Sequence, residues 1–420
     1  MKKTGSEIIV KLLETEGITV AAGIPGGSIL PLYDALAKSS IRHVLARHEQ
    51  AAGFIAQGMA RSTGKPAVCF ATSGPGAMNL LTAVADARSD SVPIVAITGQ
   101  VNTSLIGTDA FQEADTFGLS FPIAKHSIMV KSPKELLVAI PEAFAIAVNG
   151  RPGPVLVDVP RDVQLSSCEF DSWPDIASVT IHDIRFHTPP SEYASSMDRI
   201  TDALAEARRP VLFCGGGCNS EAAAKELQKF LKTYRLPVVT SLMGIGCVPS
   251  SFEMFAGMVG MHGSYAANMA LSESDLIICL GARFDDRVTG KLSEFGKNAK
   301  IIHVDIDPSS ISKIINADYP IVGDVKSVLE EMLPRIKSEV SPANFEQWRE
   351  LIRKYDEIHP LKFNDSDEIL KPQWVIQSTA KIAGEDAIIA TDVGQHQMWV
   401  AQFYPFCKPR TLLSSGGQGT

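Results

Sequence analysis

The chain has 420 residues, 45% hydrophobic and 20% charged, which is enough for two or three domains with ordinary cores and excludes a disordered or fibrous protein. Its 39 basic and 47 acidic residues leave a formal charge of -8, so there is no general attraction to phosphate backbones and nucleic acid is not an expected partner. Seven cysteines, odd in number and without a C-x-x-C pair, read as reduced thiols. No stretch approaches the ~18 uninterrupted apolar residues of a membrane helix. After Met1-Lys2-Lys3, the residues Glu7, Lys11, Glu14 and Glu16 fall where a signal peptide would be apolar. The expectation is a soluble, cytoplasmic protein with no membrane span and no targeting segment.

Thr4-Gly-Ser-Glu7 has capping-box spacing, and Ile8, Ile9, Leu12 and Leu13 then predict an amphipathic helix ending at Gly17, so the first element is expected to be a helix. The pattern then alternates. An extended run from Ile18 to Ala22 leads into the turn Gly23-Ile-Pro-Gly-Gly27 and a helix through Leu36; a strand from His43 to Ala46 precedes a helix opening at Glu49. A strand from Ala67 to Ala71, the turn Ser73-Gly-Pro-Gly76, a helix to about Arg88 and a strand from Pro93 to Thr98 follow, with one more buried strand from Pro154 to Val159. Strand, Gly-rich turn and helix in repetition predict a parallel sheet covered by helices, with ligands beyond the carboxyl ends of the strands.

From Ser166 to about Ser195 the periodicity stops and Trp173-Pro and Thr188-Pro-Pro190 appear, which reads as a linker. A second α/β unit follows, with strands at Pro210–Cys214, Pro237–Thr240, Asp275–Leu280 and Lys300–Ile306 and helices over Glu221–Thr233 and Val325–Ile336. A third begins near Asn344 with helices around Phe345–Tyr355 and Trp374–Ile382, a strand from Ala387 to Thr391, a helix from Asp392 and a strand from Thr411 to Ser414. Two strands are too few for a parallel sheet, so this third domain is expected to be incomplete.

Within this frame Glu49 stands out. It opens a helix whose face, Ala52, Ile55, Ala56, Met59 and Ala60, is small enough for close packing. A Glu in a first helical turn is also what the helix dipole favours, without any further role. The run Gly281-Ala-Arg-Phe-Asp-Asp-Arg287 places two arginines and two aspartates after a buried strand, and could equally be a solvated loop. Gly215-Gly-Gly217 lacks dinucleotide-fingerprint spacing, the nine histidines show no metal-ligand clustering, and no P-loop or G-x-S-x-G elbow is present.

Taken together, Gly23-Ile-Pro-Gly-Gly-Ser-Ile-Leu-Pro31, Arg47-His-Glu-Gln50, Thr72-Ser-Gly-Pro-Gly76, Ile106-Gly-Thr-Asp-Ala-Phe-Gln-Glu113, Gly150-Arg-Pro-Gly-Pro154, Gly260-Met-His-Gly263, Arg283-Phe-Asp-Asp-Arg-Val-Thr-Gly290 and Gly394-Gln-His-Gln-Met-Trp399 give a chain that resembles acetolactate synthases over essentially its whole length. The resemblance implies three Rossmann-like, doubly wound α/β domains: residues 1–165 binding the thiamine pyrimidine, 190–338 associated with FAD, and 344–420 binding the diphosphate, the last incomplete. It implies thiamine diphosphate, FAD and Mg2+ as cofactors, and a reaction that decarboxylates pyruvate and transfers the hydroxyethyl group to a second 2-ketoacid, pyruvate or 2-ketobutyrate.

By the same resemblance Glu49 and Gln112 are catalytic: the Glu49 carboxyl would bond the aminopyrimidine and favour its imino tautomer. A carboxyl desolvated among small apolar residues suits that task, because it shares a proton more readily. Gly26, Gly27, Thr72, Pro75 and Asn79 match pyrimidine-side contacts, and Gln395, His396 and Gln397 match diphosphate contacts. Arg151, His262, Gly263, Gly281, Ala282, Arg283, Asp305, Ile306 and Asp324 match FAD contacts. Phe111, Arg161, Met261 and Arg287 match the substrate channel, with Arg287 forked on the second ketoacid's carboxylate. The family's metal motif would follow Gly416-Gly-Gln-Gly-Thr420, so no metal ligand is expected in this chain, and a protein truly ending at Thr420 is expected to be inactive. A homodimer or tetramer is implied, with a regulatory small subunit as a further candidate partner. The rivals are another thiamine-dependent carboligase or decarboxylase, and a non-catalytic FAD- or subunit-binding fragment.

Overall fold

A computed structural model of the chain describes residues 1–179 and 190–419. It divides into two compact units, Met1–Asp183 with Ser415–Thr420, and Ile184–Ser414. The expected linker at 166–195 therefore lies partly outside the described residues, as does Thr420.

The first unit runs β1 (Lys2–Thr4), α1 (Gly5–Thr15), β2 (Val20–Gly23), α2 (Leu30–Leu36), β3 (Arg42–Leu45), α3 (Glu49–Thr63), β4 (Ala67–Ala71) and α4 (Pro75–Ser89). It continues with β5 (Ile94–Gln100), α5 (Thr116–Ser120), β6 (His126–Met129), α6 (Leu136–Val148), β7 (Val155–Pro160), α7 (Arg161–Leu165) and β8 (Ser167–Glu169). Six strands form a parallel sheet in the order β3-β2-β4-β5-β7-β6. The chain steps from β2 out to the edge at β3 and then returns past it to β4. That reversal opens a crevice at the carboxyl ends of β2 and β4.

Helices cover both faces, which is why β4 and β5 are buried along their whole lengths. One face packs large residues of α1 and α6, among them Ile8, Leu12, Ile140 and Phe144; the other packs the small face of α3 and α4, with Ala52, Ala56, Ala60, Leu80 and Val84. The Thr4–Glu7 capping box forms, with the Glu7 amide 3.2 Å from Thr4 Oγ1 and the Thr4 amide 2.9 Å from Glu7 Oε2. The chain does not begin with a helix, however. Strand β1 precedes α1 and pairs antiparallel with β8, from Lys2 opposite Glu169 to Thr4 opposite Ser167. Three residues carry no periodicity of their own; this strand exists only because a distant segment pairs with it.

The second unit holds α8 (Pro190–Glu206), β9 (Pro210–Cys214), α9 (Glu221–Tyr234), β10 (Val238–Thr240), β11 (Phe255–Met258), α10 (Tyr265–Ser272), β12 (Leu276–Leu280), α11 (Asp286–Thr289), β13 (Lys300–Asp305), β14 (Tyr319–Val322) and α12 (Val325–Met332). Its six parallel strands follow the order β11-β10-β9-β12-β13-β14, and the chain reverses between β9 and β12. The helix expected to reach Ile336 ends at Met332 and tightens into a 3-10 turn over Leu333–Arg335, because Pro334 brings no amide to continue it.

The last elements are α13 (Glu346–Ile358), α14 (Pro372–Ala383), β15 (Ile389–Ala390), α15 (Gln395–Phe403) and β16 (Leu412–Leu413). Helix α13 packs on the six-stranded sheet: Trp348 and Ile352 join the core around Val211 and Phe213, and Trp348 Nε1 donates to the Pro210 carbonyl at 3.0 Å. The buried Arg349 guanidinium donates to the Pro342 carbonyl at 2.7 Å. Strands β15 and β16 form a separate parallel pair, Ile389 opposite Leu412. Among the described residues no helix is long and apolar enough to cross a membrane, and all seven cysteines are free thiols.

Candidate active site

Helices α3 and α4 run side by side in the same direction, and their contact places Glu49. At its centre Gly53 lies against Ala83, so closely that a Cβ on Gly53 would come within 2.4 Å of Ala83 Cβ. One turn toward the amino ends, Asn79 Nδ2 donates to Glu49 Oε2 at 3.0 Å. Toward the carboxyl ends, Gln57 Nε2 donates to the Ala83 carbonyl at 2.8 Å, and Arg61 bridges Asp90 at 2.8 Å and Asp86 at 3.3 Å. Each step repeats the helical period, so the small residue at 53 sets the spacing and Asn79 aligns the carboxylate. His48 caps α3, its Nδ1 accepting from the Gln50 amide at 3.1 Å.

The half-buried Glu49 carboxylate faces the crevice. Its Oε1 has no protein donor among the described residues and lies where a Cβ on Gly76 would come within 3.3 Å. The turns after β2 and β4 close around it. Gly26 sits against Thr72, where any Cβ would come within 2.6 Å, and Thr72 Oγ1 accepts from the Ser28 amide at 3.2 Å. Gly27 has open space in front of it. Gly74, at φ 60°, precedes Pro75 at the first position of α4, and its Cα lies against the Gln112 backbone. The structure thus brings Gly26, Thr72, Pro75, Asn79, Glu49 and the backbone of Gln112 into one crevice. Burial raises the pKa of the Tyr33 phenol beneath it, with the Cys69 thiol and the Glu49 carboxylate adding to the effect.

Phe111 is 87% exposed, and Arg161 opens α7, whose next residue, Asp162, accepts from the Thr103 amide at 3.0 Å. Arg151 donates from Nε to Ser91 Oγ at 2.9 Å. A hydrogen-bonded layer below the crevice was not foreseen: Ser73 Oγ donates to Ser28 Oγ at 2.8 Å, and Gln164 Nε2 donates to the Ser28 carbonyl at 2.8 Å. Asp158 was also missed. It is fully buried, accepts from Thr98 Oγ1 at 2.7 Å and Gln100 Nε2 at 3.0 Å, and burial raises its pKa to about 7. A lone carboxylate in the apolar run Val155–Pro160 was the signal that could have found it.

In the second unit the two turns at the reversal meet backbone to backbone. Gly281, at φ 60°, approaches Gly217 so closely that an added Cβ would be 2.6 Å from its Cα, and the Gly217 amide donates to the Gly281 carbonyl at 3.1 Å. His303 Nε2 donates to the Ala282 carbonyl at 2.9 Å, and burial lowers the pKa of its imidazole. Arg283 follows this turn, while Asp305 accepts from the Asp307 amide at 2.8 Å beside Ile306, and Asp324 caps α12 through the Ser327 amide at 3.2 Å. Met261 and Arg287 are neighbours, since the Met261 amide donates to the Arg287 carbonyl at 3.0 Å. Both side chains are exposed, and Arg287 Nε lies 3.8 Å from Asp286. His262 is exposed beside Gly263, and its carbonyl accepts from Gln402 Nε2 at 2.8 Å. At the start of α15, Gln395 and His396 are exposed, whereas Gln397 is buried with its amide on Ser414 Oγ at 2.7 Å. No group of three or more metal-ligating side chains is clustered among the described residues.

Two parallel sheets carry glycine turns at their reversals, one beside a carboxylate held by an amide, an arrangement suited to binding a cofactor. Residues 3–119 match the family model of the thiamine pyrophosphate enzyme N-terminal TPP binding domain, and residues 197–332 that of the thiamine pyrophosphate enzyme central domain. Over 423 residues the chain is 47% identical to the acetolactate synthase large subunit of Corynebacterium glutamicum, which covers 100% of this chain and 67% of that protein. It is 48% identical over 421 residues to the acetolactate synthase of Mycobacterium bovis (99% and 67% covered), and 48% over 422 residues to the acetolactate synthase isozyme 1 large subunit of Escherichia coli (99% and 72% covered). The chain belongs to the acetolactate synthase family.

Proposed function

We propose that this chain belongs to the catalytic subunit of an acetolactate synthase, which decarboxylates pyruvate and transfers the hydroxyethyl group to pyruvate or 2-ketobutyrate in valine, leucine and isoleucine biosynthesis. The observation that carries the reading is the Glu49–Asn79 pair, set by the close approach of α3 and α4 in a crevice whose turns leave room at Gly27. The residues present fit thiamine diphosphate: an aromatic ring can approach the glycine turn, and a carboxyl oxygen without a protein donor faces it. When bound, that cofactor supplies the nucleophilic carbon and the electron sink for decarboxylation. Glu49 would hold a proton between Oε1 and the ligand while Asn79 fixes the other oxygen. The turns at Gly26 and Gly74 keep the pocket narrow, and Gln112 lies beside them.

The domain reading follows: 1–165 for the pyrimidine, 190–338 for FAD and 344–420 for the diphosphate. Support for FAD comes from the glycine-lined reversal of the second sheet, where backbone approaches without side chains intervening. Arg287 and Met261, adjacent and exposed, are the proposed substrate contacts on that unit. Mg2+ completes the proposed cofactor set, and we assign it no ligand in this chain. The names of the relatives support a regulatory small subunit as partner, and exposed Phe111 supports a homodimer or larger assembly. Seven free thiols suit a cytoplasmic location.

The test is direct. The protein purified from its native source, given pyruvate, thiamine diphosphate, FAD and Mg2+, is expected to form acetolactate and to show a flavin absorbance band after desalting. Pyruvate consumption that yields only acetaldehyde would replace this reading with that of a decarboxylase.

A further inference from the structure

Of the six strands of the first sheet, only β7 carries an acidic residue, Asp158. No cation pairs with it among the described residues. Such a carboxyl is costly to bury, and a well-packed apolar residue would serve the core at least as well. Its two acceptor bonds therefore invite a purpose other than packing.

The bonds lead outward to one segment. Gln100, itself 1% exposed, donates from Nε2 both to Asp158 Oδ2 at 3.0 Å and to the Ala114 carbonyl at 2.8 Å, and its Oε1 accepts from the Val101 amide at 2.9 Å. This pattern sets the orientation of the amide, since a flipped Gln100 would turn its oxygen toward two acceptors. Ala114 ends the stretch that carries Phe111 and Gln112. Within that stretch Glu113 accepts from the Gly107 and Ala110 amides, and Gln112 adopts φ 58° with its backbone against Gly74. The segment is thus stapled to itself, rests on the glycine turn, and is tied to the sheet through Gln100.

We propose that Asp158 is a positioning residue which, by orienting Gln100, holds the segment bearing Phe111 and Gln112 over the cofactor crevice. This rests on the proposed function for its catalytic consequence, but not for its geometry. The Asp115 carboxylate in the adjoining segment adds to the upward pressure that burial puts on the Asp158 carboxyl pKa. Thr98 and Gln100 on β5 face it as neutral donors.

The experiment uses the holoenzyme with thiamine diphosphate, FAD and Mg2+. Gln100→Glu removes both donors and sets a carboxylate against two acceptors; Asp158→Leu removes the acceptor; Asp158→Asn keeps one. Gln100→Glu and Asp158→Leu are expected to lower kcat/KM for pyruvate by about 10- to 100-fold, the scale of a small misplacement of positioned groups. The thiamine diphosphate Kd should stay within about 2-fold, because the Glu49–Asn79 pair is untouched, and Asp158→Asn should restore most of the activity. Amide hydrogen exchange is expected to rise at 101–120 in the first two variants and to stay unchanged in α3 and α4. Unchanged exchange at 101–120 in Gln100→Glu would overturn the proposal, and this variant decides if Asp158→Leu fails to fold. If the unaltered protein makes no acetolactate while exchange rises in the variants, the positioning geometry holds and the functional reading falls instead.

Discussion

The two six-stranded sheets use the same device for different ends. Each is parallel, each reverses strand order beside its first strand, and each brings two glycine turns to that reversal. In the first unit the turns meet through a side chain, Gly26 against Thr72, leaving space at Gly27, and the adjoining helix starts with a carboxylate held by Asn79. In the second the turns close on each other backbone to backbone, with the Gly217 amide on the Gly281 carbonyl and the Gly281 amide on that of Val304. Topology decides where a site can lie, whereas the residues at the strand ends decide whether it handles protons or only embraces a ligand.

Removing the group proposed to handle the proton should have the largest effect. Glu49→Gln keeps a partner for Asn79 but cannot share a proton, so kcat is expected to fall by about 10²- to 10⁴-fold with thiamine diphosphate still bound. Steady-state kinetics beside calorimetric titration would show it, and a loss below tenfold would remove Glu49 from its proposed role.

The units should also respond to pH with opposite signs. Folding raises the Asp158 pKa from 3.8 to about 7, so the folded first unit binds the extra proton between those values. Its stability is greatest below the unfolded value and declines as pH rises through 7, by up to ~4 kcal/mol. His303 is buried with its pKa lowered from 6.5, so the second unit loses stability as pH falls below about that value. Hydrogen exchange followed separately in the two units should reveal the crossing trends, and Asp158→Asn should flatten only the first. Parallel trends would refute the assignment.

Glycine substitutions sharpen the contrast further. Gly281→Val, at φ 60° and with its Cβ 2.6 Å from Gly217 Cα, should destabilise the second unit by ~2–3 kcal/mol. Gly27→Ala meets nothing within 4 Å and should change stability by less than ~0.5 kcal/mol while weakening thiamine diphosphate binding. Denaturant midpoints and ligand titration separate the two. The smallest effect belongs to Thr4→Ala, which removes the capping box of α1 and should cost ~1 kcal/mol by thermal unfolding.

Much of this was legible in the sequence wherever a segment carries its own signal. The Thr4 cap, the small face of α3, the buried strands β4, β9, β12 and β13 and the turns around Gly26, Gly74 and Gly281 all announce themselves through local periodicity, capping or glycine. Elements defined by their neighbours were not: β1, β6, β11 and β14 are short and become strands by pairing, and α10 is only eight residues long. Gln397 shows the same limit in the site, since its buried amide bonds Ser414, a partner that no local pattern names.

By itself, then, the sequence determined the alternation of strands and helices, the turns that carry the site, and the family, because each is written in residues close together along the chain. Only the tertiary structure decided that Asn79 aligns Glu49, that Gly53 and Ala83 set the distance between their helices, and that Asp158 and Gln100 reach the Phe111–Gln112 segment. Hydrogen bonds and close packing are short-ranged in space and indifferent to separation along the chain, so no local pattern could have announced them.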